Sequence, residues 1–149
     1  MTRDSDFKRV VRARMAETGE GYVASRTALE QEAYDAARTE QERLVARLFS
    51  DGRIARVPAK RKVRAAVLLE VVSRFEPGRD YSEKEVNEVL LGVHEDFAYL
   101  RRELVNYHYL ERESGRYRTP AEAPVRSELQ RQEIPAWEEH WLPGFLAGR

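Results

Sequence analysis

Between Arg53 and Arg64 the chain carries Arg53, Arg56, Lys60, Arg61, Lys62 and Arg64 with no acid among them. Such a cluster, laid around a loop and the start of a helical pattern, suits phosphate oxygens, which fix register on a nucleic acid without reading its bases. Arg101, Arg102 and Asn106 form a second group at helical spacing. In a major groove, Arg pairs with guanine through two hydrogen bonds and Asn does the same with adenine. Arg116 and Arg118 flank Tyr117, and on a β-hairpin they would meet backbone or minor groove. Each group also has a plainer reading. The basic run is a phosphate grip, a solvated face, or a set of cations paired with the acids of the Glu83 to Glu88 helix. Arg101 and Arg102 either face a groove or pair with Glu83, Glu85 or Glu88. The acids Glu95, Asp96 and Glu103 beside that helix weigh against groove reading.

Catalytic chemistry has little to stand on. His94-Glu95-Asp96 lacks the HExxH spacing that places two histidines on one helical face, and His108 and His140 lie far off in the chain. Helix capping accounts better for Glu95 and Asp96. No Ser-His-Asp order, Gly-rich phosphate loop or isolated carboxylate pair stands out. The expectation is a protein that is not an enzyme, with no catalytic residue, no metal site and no cofactor.

The bulk properties set the frame. A chain of 149 residues fits one domain with additions. Its 26 basic and 26 acidic side chains cancel, so any basic surface must be local. The absence of Cys excludes disulfides and thiolate zinc sites and fits a reducing cytosol. No segment has the run of about 20 apolar residues that spans a bilayer. A cytoplasmic protein with no membrane partner is expected.

The elements that must position the basic groups read off local signals. Ser82 and Glu85 have capping-box spacing, and Val86, Val89, Leu90 and Val93 then give one apolar face. Asp96 or Glu95 caps a second helix whose apolar face is Phe97, Leu100, Leu104 and Tyr107. Ser114-Gly115 joins Tyr109–Glu113 to Arg116–Thr119 as a tight hairpin. Helix, turn, helix and wing is the order of a winged-helix domain.

Upstream, Asp4-Ser5-Asp6 caps a first helix that stops near Gly19, and Tyr22 opens a long Ala-rich pattern reaching Phe49, as one helix or two. That arm lies either on its own domain or against a second copy of the chain. Asp51-Gly52 is a turn into a short strand over Arg53–Val57, and Lys60 to Phe75 is the most buried predicted helix. Beyond Thr119, Val125 to Glu133 reads as a short polar helix. The tail places Trp137, Trp141, Leu142, Phe145 and Leu146 where exposure would be costly, so it is expected to dock on the protein's own surface or across a dimer.

From Phe49 onward the chain resembles the bacterial domain of unknown function 2087 family. The matching positions are Phe49, Asp51, Gly52 and Arg53; Pro58 to Lys62; Tyr81, Ser82, Glu83, Glu85, Val86 and Asn87; and Leu100 to Val105 with Leu110 to Arg112. The resemblance implies a helix-turn-helix or winged-helix module often met in proteins labelled as transcriptional regulators, with no reaction established for it. Some relatives are fused to an ArsR-type DNA-binding domain, and nothing before Phe49 looks like one here.

The expectation is therefore a mainly α fold with a small β-hairpin wing. Residues 1–48 form a helical arm with a possible role in homodimerisation, residues 49–119 the winged-helix domain, and residues 120–149 a Trp-rich extension. The expected function is binding of nucleic acid, duplex DNA above all, in transcriptional regulation. A protein–protein interaction module on the same scaffold is the alternative.

Overall fold

The structure, a computed structural model, describes residues 3–149; Met1 and Thr2, at the head of the expected arm, lie outside the described residues. The chain divides into two compact units, Met1–Arg38 and Thr39–Arg149.

The first unit holds α1 (Arg3–Thr18) and most of α2 (Tyr22–Val45). Gly19 ends α1 at φ +75°, and its N–H donates to Met15 O at 2.9 Å, the left-handed cap that Gly adopts without steric cost. Arg14 Nη1 on α1 then reaches Glu32 on α2 at 2.7 Å. The Tyr22 pattern forms a single helix that ends at Val45, short of Phe49.

The second unit is built around α3 (Arg61–Val72). Ala65 through Leu69, Val71 and Val72 are all buried, so this helix is enclosed by the rest of the unit. Short bonds carry the chain on through Phe75, where Phe75 N–H donates to Val72 O at 3.0 Å. Against α3 pack Val86 and Leu90 of α4 (Glu83–Leu91) and Leu100 and Leu104 of α5 (Phe97–Asn106). Leu142 of α7 (Ala136–Leu146) completes the same core, with Trp137, Trp141, Phe145 and Leu146 packed on it. The aromatic tail thus docks within its own chain. Its rings stack one turn apart, Trp141 on Phe145 at 4.6 Å between centroids.

Two small antiparallel sheets tie the helices together. β1 (Phe49–Ser50) and β2 (Arg53–Ile54) close over Asp51 and Gly52, both at positive φ. β3 (Tyr81–Ser82) pairs with β5 (Arg116–Arg118), which also pairs with β4 (Glu111–Glu113), giving the order β3-β5-β4. The strand expected over Arg53–Val57 is confined to Arg53–Ile54. Strand β4 starts later than the expected Tyr109 for a physical reason. His108 takes φ +62°, and the N–H groups of Tyr109 and Leu110 both turn back to Leu104 O, which drives those two side chains into the core. A short helix α6 (Glu128–Arg131) lies within the span expected to be polar and helical.

Candidate nucleic-acid interface

The two helices of the motif are fixed by caps that use local side chains. Ser82 Oγ accepts from Glu85 N–H at 3.1 Å while Glu85 Oε1 accepts from Ser82 N–H at 2.9 Å, a reciprocal capping box. These bonds, with Arg79 beside it, hold the Glu85 carboxyl below the usual glutamate range. Asp96 Oδ1 accepts from Tyr99 N–H at 3.2 Å and starts α5. With Leu100 and Leu104 facing the core, helical periodicity leaves Arg102 and Asn106 exposed on the opposite side, one turn apart.

Arg101 does not join them. Its side chain is 17% exposed, its Nη2 lies 3.1 Å from Glu83 Oε1, and its Nη1 donates to Asn87 Oδ1, so it clamps α5 to α4. Of the two roles open to this guanidinium, groove reading and an intramolecular acid, the structure gives it the acid.

The basic run is divided in the same way. Arg56 and Lys60 are exposed and have no ion-pair partner among the described residues. Arg53 donates to the Leu91 carbonyl, across to the end of α4. Arg61 pairs with Glu133 at 3.0 Å and Lys62 with Glu40 at 3.3 Å. Arg64 Nη1 donates to Ala59 O at 3.4 Å, and its buried Nε has no partner among the described residues.

On the wing, Tyr117 is buried and holds β5 to the core, which leaves Arg116 and Arg118 outward. Arg118 pairs with Glu111 at 3.4 Å and Glu113 at 3.6 Å, whereas Arg116 has no acid within ion-pair distance among the described residues. Asp80, Glu111 and Glu113 share a shallow concavity with both arginines, so the wing's field is mixed rather than positive.

His94 Nδ1 sits 3.1 Å from the Ile54 carbonyl oxygen, which can only accept, so that nitrogen carries the hydrogen. With Asp96 engaged as a cap, His94-Glu95-Asp96 forms no ligand set, and no group of three or more His, Asp or Glu is placed to hold a metal among the described residues. No described helix is long and apolar enough to cross a membrane.

The structure also gathers residues that the sequence did not connect. Arg61, Arg64 and Asn106 line one pocket of about 230 Å³ together with Arg126 and Tyr107. Arg126 is anchored from behind by Glu138, with Nη2 to Oε1 at 2.7 Å and the two side chains 8% and 7% exposed. Its Nη2 also donates to the Tyr107 carbonyl at 2.6 Å, and the Tyr109 hydroxyl donates to Glu138 at 2.6 Å. Burial, then the Glu138 charge, push the Tyr109 hydroxyl well above the usual tyrosine range. No local signal marked Arg126. Its partner stands 12 positions away on α7.

Residues 53–119 match the family described as an uncharacterized protein conserved in bacteria, DUF2087. Over that span the chain is similar to a DUF2087 domain. That span runs from β2 through α3, α4 and α5 to the end of the wing and includes every residue of the basic run, α5 and the hairpin singled out above. Phe49, Asp51 and Gly52, which also resemble the family, precede the matched span. The helical arm and the α7 extension lie outside it. No curated protein and no solved structure matches the chain.

Proposed function

We propose that the DUF2087-like domain of this protein is a winged helix that binds duplex DNA, and that the protein acts in the cytoplasm as a transcriptional regulator. The order α3, β3, α4, α5, β4, β5, with β3 completing the sheet of the hairpin, supports the winged-helix reading. The observation that carries the function is the outward face of α5. There Arg102 and Asn106 stand exposed one turn apart, on a helix anchored by buried Leu100 and Leu104 and clamped by Arg101. These are residue types suited to base edges, on an element held firmly enough to present them.

Phosphate contacts come from cations of the basic run and the wing that have no ion-pair partner among the described residues: Arg56 and Lys60 ahead of α3, and Arg116 on the wing. Arg53, Arg61, Lys62 and Arg118 have intramolecular partners, so they contribute only by exchanging them. Pairing of two domains through the helical arm would place two reading helices on one duplex, as a symmetric site requires. The protein-interaction alternative rests on the arm, since the tail's aromatic rings are packed on the protein's own core.

The test is titration of a labelled random-sequence duplex, with the matching single strand alongside, across a salt series. Duplex binding that weakens linearly on a log–log plot with salt is expected, because each neutralised phosphate releases counterions. Failure to bind the duplex at low salt overturns the reading and turns attention to a protein partner of the arm.

A further inference from the structure

The pocket lined by Arg61, Arg64, Arg126, Asn106 and Tyr107 has Glu133 as its one lining carboxylate among the described residues. Three guanidiniums from two separate stretches of chain converge on it, one at the start of α3, one a turn further along, and one from the segment ahead of α6. At about 230 Å³ it holds several times the volume of one water molecule, which takes up about 30 Å³ in the liquid.

The three arginines are not equally committed. Arg126 is built in, since Glu138 and the Tyr107 carbonyl fix it from behind and its side chain is only 8% exposed. Arg64 is close to the Tyr107 hydroxyl yet has no carboxylate partner, and its Nε is buried and unpaired among the described residues. Arg61 is held only by Glu133 in a pair whose side chains are 66% and 49% exposed. An exposed pair of that kind is worth little and exchanges readily. The site therefore has one fixed cation, one cation lacking an anion, and one whose anion is displaceable. Guanidinium forks match phosphate oxygens in geometry, and such charge-assisted bonds are the strong ones.

We propose that this pocket is a phosphate site, in which the phosphate displaces Glu133 from Arg61, pairs with the Arg64 guanidinium and lies against Arg126, with the Asn106 amide as a further donor. The phosphate comes either from a small phosphate compound or from a nucleic-acid backbone. Because Asn106 also stands at the end of the outward face of α5, the pocket adjoins the proposed reading surface.

Calorimetric titration of the full chain with inorganic phosphate, with no nucleic acid present, tests the site independently of the DNA reading. Millimolar or tighter binding is expected. Arg64→Gln and Arg61→Gln should each weaken it by roughly tenfold, the usual scale of a charge-assisted bond. Glu133→Gln should tighten it severalfold, whereas Glu30→Gln, the same charge change on α2, should leave it as in the parent. Arg61 is largely exposed, so its variant keeps the test valid if Arg64→Gln fails to fold. Absence of phosphate binding, or equal effects of Glu133→Gln and Glu30→Gln, overturns the proposal. Repeating the duplex titration with phosphate at constant ionic strength separates the sources. Competition that Arg64→Gln abolishes assigns the site to a backbone phosphate, and binding of both together assigns it to a small phosphate compound.

Discussion

Arg101 Nη2 lies 3.1 Å from Glu83 Oε1, joining the second helix of the motif to the first residue of the helix before it. The neighbouring Arg102 faces away from the core and has no such partner among the described residues. Two adjacent arginines thus have opposite tasks, one internal and one external. Arg101→Ala should cost about 0.5–1 kcal/mol of stability, the scale of a partly exposed ion pair with one added hydrogen bond. Arg102→Ala should leave the urea midpoint unchanged. Paired urea denaturation curves check both.

The Arg126–Glu138 pair is the most buried ionic contact among the described residues; it joins two parts of the extension after Thr119, which the bonds from Arg126 to the Tyr107 carbonyl and from the Tyr109 hydroxyl to Glu138 then fasten to the domain. Glu138→Gln leaves the Arg126 charge buried without its counter-ion. Breaking one side of a buried pair costs about 3–5 kcal/mol, because the remaining charge keeps its desolvation penalty. Arg126→Met with Glu138→Leu should recover most of that loss, since an apolar pair carries no such penalty. Equilibrium denaturation of the single and double variants measures the difference.

Tyr109 gives the same region a dependence on alkaline pH. Its raised pKa means that the folded state favours the phenol over the phenolate. The resulting stability is fully present below the ordinary tyrosine value of about 10 and is lost as pH rises toward the folded value. Denaturation midpoints of the parent should fall through that alkaline window, and those of Tyr109→Phe should fall less. Midpoints measured at a series of pH values decide it.

The wing turn places Ser114 at φ +50° and Gly115 at φ +75°, the pair of left-handed residues that a twisted two-residue hairpin needs. A Cβ at Gly115 would meet nothing within 4 Å, so a substitution there is penalised by backbone conformation alone. Gly115→Val should cost about 1–2 kcal/mol, and Gly115→Asn clearly less. Thermal melts of the two variants compare them.

What was legible in the sequence was local. The Ser82–Glu85 box, the Asp96 cap, the Ser114-Gly115 link and the buried stripe of α3 each depend on residues within a turn or two of one another, and each stands where the spacing put it. Pairing between distant segments carried no such mark. Strand β3 exists only because Tyr81 meets Tyr117, and Arg61 finds Glu133 across 72 positions. The basic run looked uniform in sequence because its acids lie outside it; folding neutralises Arg61 and Lys62 and leaves Arg56 and Lys60. Arg126 went unnoticed because an arginine in a polar segment reads as solvated until a buried carboxylate from α7 is brought against it.

The central claim is that α5 presents Arg102 and Asn106 to duplex DNA while Arg101 serves the fold. Duplex affinity of the parent, Arg102→Ala and Arg101→Ala at one fixed low salt concentration tests it most directly. Arg102→Ala should lose about 1–3 kcal/mol of binding, the scale of a bidentate base contact, on any site selected for tight binding. Arg101→Ala should lose markedly less. Equal losses in the two variants, or a parent protein that does not bind the duplex, would contradict the account.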